Sequence, residues 1–242
     1  MNKFQKLFIP VVLLILMVSP ACMMFNYCIS GSGRIITEER DLRSFEGISL
    51  NCSADVYFVQ SDEYLVEVEA YENIQPLVDL DVENGVLEID IDGCILSGSD
   101  VRIFISAPDI SLIENSGSGS IYVDDVFNVS ALEMKNHGSG DIHIKDMLAD
   151  YIEADITGSG DIFVAGSNKC FEQNILITGS GSYEAIKLES DAVQIRNSGS
   201  GDCVIWAREY LSGRLSGSGD VIYKGNPQIT VNVTGSGRVK AY

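Results

Sequence analysis

The second half of the chain alternates apolar and polar residues on both sides of a recurring tripeptide. Four and six residues after the first glycine of each copy stand apolar or small side chains, and the residue between them is polar or variable. These pairs are Ile121/Val123, Ile142/Ile144, Ile162/Val164, Tyr183/Ala185, Cys203/Ile205, Val221/Tyr223 and Val239/Ala241. Alternation with a period of two is typical of strands with one buried face. Each repeat is therefore predicted to be a strand, a corner and a second strand.

The tripeptide is Gly-Ser-Gly, and its spacing predicts a stacked repeat. From residue 117 its first glycine recurs after 21, 20, 21, 20, 18 and 18 residues, and residues 97–100 look like a degenerate earlier copy. A unit this short cannot bury its apolar side alone, whereas stacked copies bury a continuous column. We therefore expect an all-β solenoid of about seven or more coils. Glycine would supply a positive φ or a tight corner, and the central serines would form a hydroxyl ladder.

Residues 35–115 are rich in β signals but less regular. Strands are predicted at 44–48, 54–59, 65–70, 86–91 and 101–105, and Asn84-Gly85 is a hairpin-turn signal before the fourth of these. Only residues 72–78 indicate a short helix. Because no linker separates this part from the regular repeats of 116–242, we expect one domain over residues 35–242.

The N-terminus has the pattern of a bacterial lipoprotein signal. Residues 1–21 contain Lys3 and Lys6, an apolar run over 7–18, and small residues directly before Cys22. This is the pattern of a signal peptide with its cleavage site, and the apolar run is shorter than the ~20 residues of a membrane span. We expect a lipid anchor on Cys22 and a tether over residues 22–34, although Ser19 stands where lipoproteins usually have leucine. An ordinary secretory signal is the alternative.

The acidic composition narrows the classes of partner. The formal net charge is −19, and removal of residues 1–21 takes away two lysines and no acid, giving −21. A charge of this sign disfavours nucleic acid and anionic lipid as partners. It is compatible with divalent cations, with basic partners, or with solubility alone.

The cysteines do not form a metal-binding motif. No Cys-x-x-Cys pair or Cys/His cluster occurs among Cys22, Cys28, Cys52, Cys94, Cys170 and Cys203. A zinc site is therefore not expected. If Cys22 is lipidated, five cysteines remain and cannot all pair. Cys52 and Cys94 are one candidate disulfide in an oxidising envelope, Cys203 is expected to be a buried thiol, and spacing alone leaves the pairing open.

Several of these segments together resemble a known family, the auto-transporter adhesins with a head GIN domain that are common among Bacteroidetes lipoproteins. The resemblance rests on residues 45–48, 66–74 and 84–89, and on the run from Val101 through Pro108 into the Gly-Ser-Gly series. It covers about residues 35–242. It implies a right-handed β-helix-like fold in the envelope, brings no catalytic residues, and implies adhesion only by structural analogy. An outer-membrane lipoprotein can lie on the periplasmic face or on the cell surface. Residues 23–26 lack the acidic residues that often follow the lipidated cysteine of surface-exported lipoproteins, so both locations are compatible with the sequence.

One column of acidic residues is a candidate cation site. The residue three past the first glycine is an aspartate in four repeats, namely Asp141, Asp161, Asp202 and Asp220. If the coils are in register, Asp141/Asp161 and Asp202/Asp220 are neighbours about 5 Å apart. A Ca²⁺ ion would relieve their repulsion, because it prefers hard oxygen ligands. The alternative is that solvated aspartates accept hydrogen bonds from nearby backbone N–H groups at the corner.

A second column is a candidate contact surface. Outward apolar residues follow the corner in four repeats, at Tyr122, Phe163, Val204 and Ile222. Such a stripe is suited to packing against another subunit or a ligand. The chain's own N-terminal strands could equally cover it.

Other polar residues are interpreted as structural. The inward asparagines two residues before the glycine, Asn115, Asn136 and Asn197, are expected to bond from rung to rung. His137 and His143 are expected to lie on the surface, and they do not complete a Ser-His-Asp set.

Three functions are compatible with these sequence features. The chain is expected to be a non-enzymatic interaction module of the envelope that presents a repetitive face to a glycan, an envelope protein or its own copies, without a cofactor unless calcium binds. The first alternative is a polysaccharide-active β-helix enzyme, which requires a cleft with clustered carboxylates and a base. The second is an architectural protein that self-associates through its last coil, where Tyr242 leaves an open strand edge.

Overall fold

The computed structural model describes residues 28–96 and 98–242, and most of this length is β-strand. A 3-10 helix, Gln75–Leu77, lies where residues 72–78 indicated a short helix. Among the described residues, no helix has the length and apolar character needed to cross a membrane. The strands are β1 (Ile35–Glu39), β2 (Gly47–Leu50), β3 (Asp55–Gln60), β4 (Leu65–Tyr71), β5 (Val78–Glu83), β6 (Val86–Ile91), β7 (Arg102–Ala107), β8 (Leu112–Asn115), β9 (Ile121–Asn136), β10 (Ile142–Ile156), β11 (Ile162–Ala165), β12 (Cys170–Ile177), β13 (Tyr183–Asn197), β14 (Cys203–Leu215), β15 (Val221–Lys224), β16 (Gln228–Val233) and β17 (Val239–Ala241).

Strands β8 to β17 stack as coils of a β-solenoid with about six turns. Neighbouring coils pair in parallel and in register, so Ile142 lies between Ile121 and Ile162. The same column continues through Tyr183, Cys203, Val221 and Val239. The predicted solenoid with Gly-Ser-Gly corners is confirmed, with about six turns where seven or more were expected.

The first coils do not follow the order of the chain. β2 pairs in parallel with β6 on one side and β8 on the other, and β3 likewise lies between β7 and β9. Residues 51–54 therefore form the corner next to Gly117, where the Ser118 amide donates to the Cys52 carbonyl at 3.0 Å. That corner was expected at residues 97–100. The sequence order misleads here because an earlier segment is inserted into the stack.

Antiparallel strands close the beginning of the stack. β4 pairs with β7, β1 pairs with β4, and β5 forms a hairpin with β6. At the hairpin turn, Asn84 and Gly85 have φ values of 50° and 82°. Two-residue hairpin loops favour this left-handed pair, so the predicted turn is confirmed. These strands provide hydrogen-bonding partners for the edges of the first coils.

Inward side chains form one continuous apolar column. Isoleucine, valine and leucine fill most positions, and Phe45, Phe58 and Phe127 are buried in the first coils. The rings of Phe58 and Phe127 meet edge-on, with centroids 5.4 Å apart. Full burial of one such side chain contributes about 1.5–3 kcal/mol relative to its exposure. Cys203 lies in this column as a buried free thiol, as predicted.

Close backbone contact, and not a positive φ, requires the corner glycines. The described glycines with positive φ all lie outside the seven copies that begin at residue 117. A Cβ placed on Gly138 would lie 2.0 Å from the Gly117 carbonyl oxygen, a distance that no side chain can tolerate. The coils are joined at this point by the serine amide, since Ser139 N–H donates to the same oxygen at 2.9 Å. The serine hydroxyl faces solvent, so the predicted hydroxyl ladder is replaced by a ladder of amides.

A disulfide joins Cys28 to Cys94, and Cys52 is a free thiol, so the candidate pair Cys52–Cys94 does not form. The reason is that residues 28–34 run beside the Cys94 loop, whereas Cys52 lies in the neighbouring corner. The Gly31 amide also donates to Ser99 Oγ at 2.6 Å. Residues 28–34, assigned to the tether, are therefore attached to the body. Cys22 and the predicted signal peptide lie outside the described residues.

Candidate functional site

Five side chains on one outward face stack into a ladder across five consecutive coils. They project at one register position from β7, β3, β9, β10 and β11, and are Phe104, Tyr57, Tyr122, His143 and Phe163. Consecutive ring centroids are 5.4, 5.2, 5.1 and 4.6 Å apart, and the interplanar angles are 22°, 17°, 5° and 4°. We call these five residues the aromatic ladder.

The spacing of the coils determines the geometry of the ladder. Paired strands lie about 4.8 Å apart, which falls within the separation at which aromatic rings attract one another. Stacked pairs of phenyl and phenol rings such as Tyr57–Phe104 and Tyr57–Tyr122 contribute about 0.5–1.5 kcal/mol beyond the area that they bury. Burial and the nearby Asp55 carboxylate raise the pKa of the Tyr57 phenol. The rings cover one another's faces and turn their edges toward solvent, so the ladder is a rigid, half-buried ridge.

The predicted stripe lies within the row of the ladder. Tyr122 and Phe163 are two of its rings, and the row continues past Glu184 to Val204 and Ile222. All four stripe residues are half-buried. The N-terminal strands do not cover this row: β3 and β7 lie beside it and lengthen it.

The sequence prediction missed three rings of the ladder. Tyr57 and Phe104 belong to strands that enter the stack out of chain order, so no fixed spacing connects them to Tyr122. His143 is predicted from the sequence only to lie on the surface, although it occupies the same position of its repeat as Tyr122 and Phe163. The outward position beside buried Phe58 was the signal that could have identified Tyr57.

A groove of about 450 Å³ runs beside the ladder and carries charge of both signs. His143 and Phe163 form one wall, and Lys145 and Lys187 extend into it from the adjoining row. Asp124 and Glu184 also line the groove. It therefore offers ring edges together with hydrogen-bond donors and acceptors.

The aspartate column forms a continuous hydrogen-bond ladder with the backbone. One carboxylate oxygen of each aspartate accepts the amide of the equivalent residue one coil further on. The Asp161 amide donates to Asp141 Oδ1 at 2.8 Å, and the Ser182 amide donates to Asp161 Oδ1 at 2.7 Å. Asp202 and Asp220 accept in the same way, at 2.7 and 2.9 Å.

These bonds give the candidate cation residues a structural role. At two positions of the column a serine hydroxyl accepts in place of a carboxylate, as Ser120 Oγ does from the Asp141 amide at 3.1 Å. Within the described residues, no three His, Cys, Asp or Glu side chains come together in an arrangement able to hold a metal ion. Asp220 also contacts Lys240 Nζ at 2.8 Å. The Lys240 hydrogen bond, with the Arg238 amide, lowers the pKa of Asp220 to about 2.

The buried asparagines support the corners from inside. Asn197 Nδ2 donates to the Gly201 carbonyl at 2.8 Å, and Asn197 Oδ1 accepts the Gly199 amide at 3.0 Å. Asn115 makes the same two bonds within its own corner. The expected rung-to-rung bonding is found at Asn136, whose Nδ2 also reaches the next coil at the Asp161 carbonyl, at 3.2 Å. The structural role is therefore correct, but most of these bonds stay within one corner.

The two histidines occupy different surroundings. His137 Nδ1 hydrogen-bonds Thr157 Oγ1 at 2.6 Å on the outside of the corner. His143 lies between Tyr122 and Phe163, and its Nε2 is 3.6 Å from Asp141 Oδ2. The ring of His143 is thus part of the ladder.

Comparison with known proteins places the chain in a family. The model of the family described as "Putative auto-transporter adhesin, head GIN domain" matches residues 44–227. The chain belongs to this family. The head GIN domain therefore includes the aromatic ladder, the aspartate column and six of the seven Gly-Ser-Gly corners that begin at residue 117. The resemblance derived from the sequence is confirmed. No curated protein matches the chain.

Solved structures share the fold of this head GIN domain. A "putative adhesin" from Bacteroides fragilis NCTC 9343 is 24% identical, with a TM-score of 0.81, over 88% of this chain and 100% of the other. A "Putative lipid binding protein" from Parabacteroides distasonis ATCC 8503 is 23% identical, with a TM-score of 0.74, over 88% and 99%. A "putative adhesin" from the same organism is 21% identical, with a TM-score of 0.73, over 88% and 99%. At these identities the likeness extends to the fold alone.

Proposed function

We propose that this chain is a non-enzymatic interaction module of the cell envelope whose aromatic ladder binds a glycan chain. The observation that carries the proposal is the ladder itself, five stacked rings on an outward face that no other described segment covers. Contiguous apolar surface of this kind, bordered by polar groups, is typical of interaction sites. Membership of a family described as adhesins supports the same function.

The repeat of the ladder suits an extended sugar chain. The rings recur with each coil, at centroid spacings of 4.6–5.4 Å, and successive pyranose units of an extended chain recur on a similar scale. The ring edges would contact the C–H groups of the sugars. Lys145, Lys187, Asp124 and Glu184 would supply hydrogen bonds to their hydroxyls from the groove. A rigid ridge requires little ordering on binding, which favours affinity.

Affinity electrophoresis of the full chain, purified in detergent, tests the proposal. The gels contain laminarin, xylan, pectin or dextran, and the mobility of the native protein is compared with that in a gel without polysaccharide. We expect at least one glycan to retard the protein, and Phe163→Ala to weaken this retardation about tenfold or more. Phe163 is the end ring of the ladder and stacks on one ring, so this change disturbs the fold less than the loss of a central ring.

The matched control is Tyr210→Ala, which removes an exposed aromatic side chain elsewhere on the solenoid. The control should bind like the wild type. Equal weakening by both variants, or no retardation by any glycan, would contradict glycan binding at the ladder. Release of reducing ends from a retarding glycan would instead support the polysaccharide-active enzyme, and concentration-dependent dimers lost in Phe163→Ala would support self-association.

The proposal also includes an outer-membrane lipid anchor on Cys22. Its support is the signal-peptide pattern before Cys22 and the Cys28–Cys94 disulfide, a bond that persists in oxidising compartments outside the cytoplasm. Mass spectrometry of the N-terminal peptide from native membranes tests this part. An acylated Cys22 at the mature N-terminus is expected, and an unmodified Cys22 would contradict the anchor. Protease accessibility on intact cells then distinguishes the cell surface from the periplasmic face.

A further inference from the structure

Two arginines lie side by side near the end of the solenoid. Arg196 of β13 and Arg214 of β14 occupy the same register position on neighbouring coils, and both are exposed. Within the described residues, neither forms an ion pair. Arg43, Lys145, Lys187 and Lys224 likewise form none in this part of the chain, whereas the other eight described bases contact a carboxylate, namely Arg34, Arg40, Arg102, Lys135, Lys169, Arg208, Arg238 and Lys240.

Hydroxyl groups lie beside the two arginines on one side, and Arg196 also lines a separate groove that contains Glu153 and Asp155. The segments 194–200, 212–218 and 230–236 stack on one another here, and none of them contains Asp or Glu. A groove of about 450 Å³ is lined by Arg196, Arg214, Ser198 and Ser216, with Leu176 at its side. In a chain with a net charge of −19, this is a local positive patch with hydroxyl groups beside it.

Gly213 lines the same groove, beside Arg214. In the other coils the equivalent residue is apolar and larger, and the φ of Gly213 is 141°. A Cβ at this residue would lie 1.8 Å from the Ile195 carbonyl oxygen. The backbone of the two coils is therefore close here, and the neighbouring Arg196 and Arg214 lie on closely spaced strands.

We propose that Arg196 and Arg214, with Ser198 and Ser216, bind an oxyanion group, a sulfate or phosphate ester carried on a polysaccharide. Guanidinium groups match such oxygens with paired hydrogen bonds, and the serine hydroxyls can donate to the remaining oxygens. Two like charges one coil apart repel each other, and a bound anion removes that repulsion. The site lies on the opposite side of the corner from the aromatic ladder, so it does not depend on glycan binding there.

A polysaccharide fits this site better than an anionic membrane. A membrane surface would approach the whole molecule, whose negative charge opposes it. A single glycan strand contacts the patch alone, so the two arginines dominate its interaction. Attraction of this kind weakens as the salt concentration rises, because the charges are exposed.

Binding of the full chain to dextran sulfate, with plain dextran as reference, tests the proposal. We expect retardation by dextran sulfate alone, decreasing with added salt and with competing inorganic sulfate. The double variant Arg196→Gln/Arg214→Gln should weaken binding at least about tenfold, because two charge-assisted contacts are lost. Arg196→Lys/Arg214→Lys keeps the charge and loses the paired geometry, so it should bind with intermediate strength.

The matched control is Arg34→Gln/Lys224→Gln, which removes the same charge from exposed positions outside both grooves. It should bind dextran sulfate nearly as well as the wild type. Equal losses in the two glutamine variants would show a net-charge effect and overturn the site. Binding of phosphatidylglycerol vesicles, lost in the arginine variant, would assign the oxyanion to a lipid and overturn the polysaccharide. Thermal unfolding of each variant confirms that the protein is folded.

Discussion

Replacement of a corner glycine by alanine is expected to destabilise the whole stack. At Gly158 the added Cβ would lie 2.1 Å from the Gly138 carbonyl oxygen and 2.6 Å from the His137 carbonyl carbon. Both contacts are with backbone, so no side chain can rotate away, and the two coils must separate. That carbonyl oxygen accepts the Ser159 and Gly160 amides at 2.9 and 3.2 Å.

The cost can be worked out from these contacts. Overpacking costs about 1–3 kcal/mol, and each weakened hydrogen bond adds about 1 kcal/mol, so Gly158→Ala should lose about 3–5 kcal/mol. Guanidinium unfolding of the full chain, followed by far-UV circular dichroism, measures the loss. Ser159→Ala is the control, because its hydroxyl is exposed, and it should change stability by less than about 0.5 kcal/mol. An unfolding midpoint for Gly158→Ala equal to that of Ser159→Ala would refute the close-contact explanation of the repeat.

Three further changes test other parts of the structure. Asp161→Ala should lower the free energy of unfolding by about 1–2 kcal/mol, because the Ser182 amide loses its acceptor. Asp161→Ser should unfold thermally like the wild type. Equal losses in the two variants, or a melting temperature raised by Ca²⁺ only when Asp161 is present, would contradict the acceptor role. The pKa of Asp220 is depressed from 3.8 to about 2, so its stabilisation is complete well above pH 3.8 and is lost as the pH falls through 2. The melting-temperature difference between wild type and Asp220→Asn should therefore shrink as the pH falls from 3.8 toward 2 and vanish only below the folded pKa. A constant difference would contradict this. Burial raises the pKa of both Cys52 and Cys170 to about 11. Iodoacetamide at pH 8 should therefore label these thiols only after unfolding, as followed by peptide mass spectrometry. Rapid labelling of the native protein would contradict their burial.

The regular coils could be predicted from sequence because their signal is local. Each Gly-Ser-Gly carries its own flanking alternation, so strand, corner and strand can be identified within one repeat of 18–21 residues. The Asn84-Gly85 hairpin could be predicted for the same reason, since its turn conformation depends on two adjacent residues. Both predictions concern neighbours in the chain.

The arrangement of the first coils could not be predicted, because it depends on distant neighbours. β3 enters the stack between β7 and β9, and only this insertion brings Tyr57 between Phe104 and Tyr122. The Cys28–Cys94 disulfide is hidden for the same reason, since its cysteines are 66 residues apart. A period of two specifies which face a side chain takes, but it does not specify which strand lies beside it.

The sequence pattern also could not show why the corners require glycine. A recurring glycine is compatible with a positive φ or with a close approach of backbone, and both produce the same spacing. Close approach of the backbone is the reason in this protein, since the Gly117 carbonyl oxygen occupies the space that a Cβ on Gly138 would need. The register of the coils, which the sequence implies only indirectly, is what makes each Gly-Ser-Gly corner from residue 117 onward need glycine.

The hydrogen bonding of the corner indicates where on the solenoid a ligand can act. The Ser139 amide is bonded to the preceding coil, and the Asp141 carboxylate is bonded to the next one, so the corner uses its strongest polar groups internally. Binding at those groups would have to break bonds between coils. The aromatic ladder on one side of the corner, and the Arg196–Arg214 pair on the other, take no part in that bonding. A ligand can therefore contact either surface without loosening the stack, and for this reason the two rows beside the corner, and not the repeated tripeptide, are the places to search for the function of this chain.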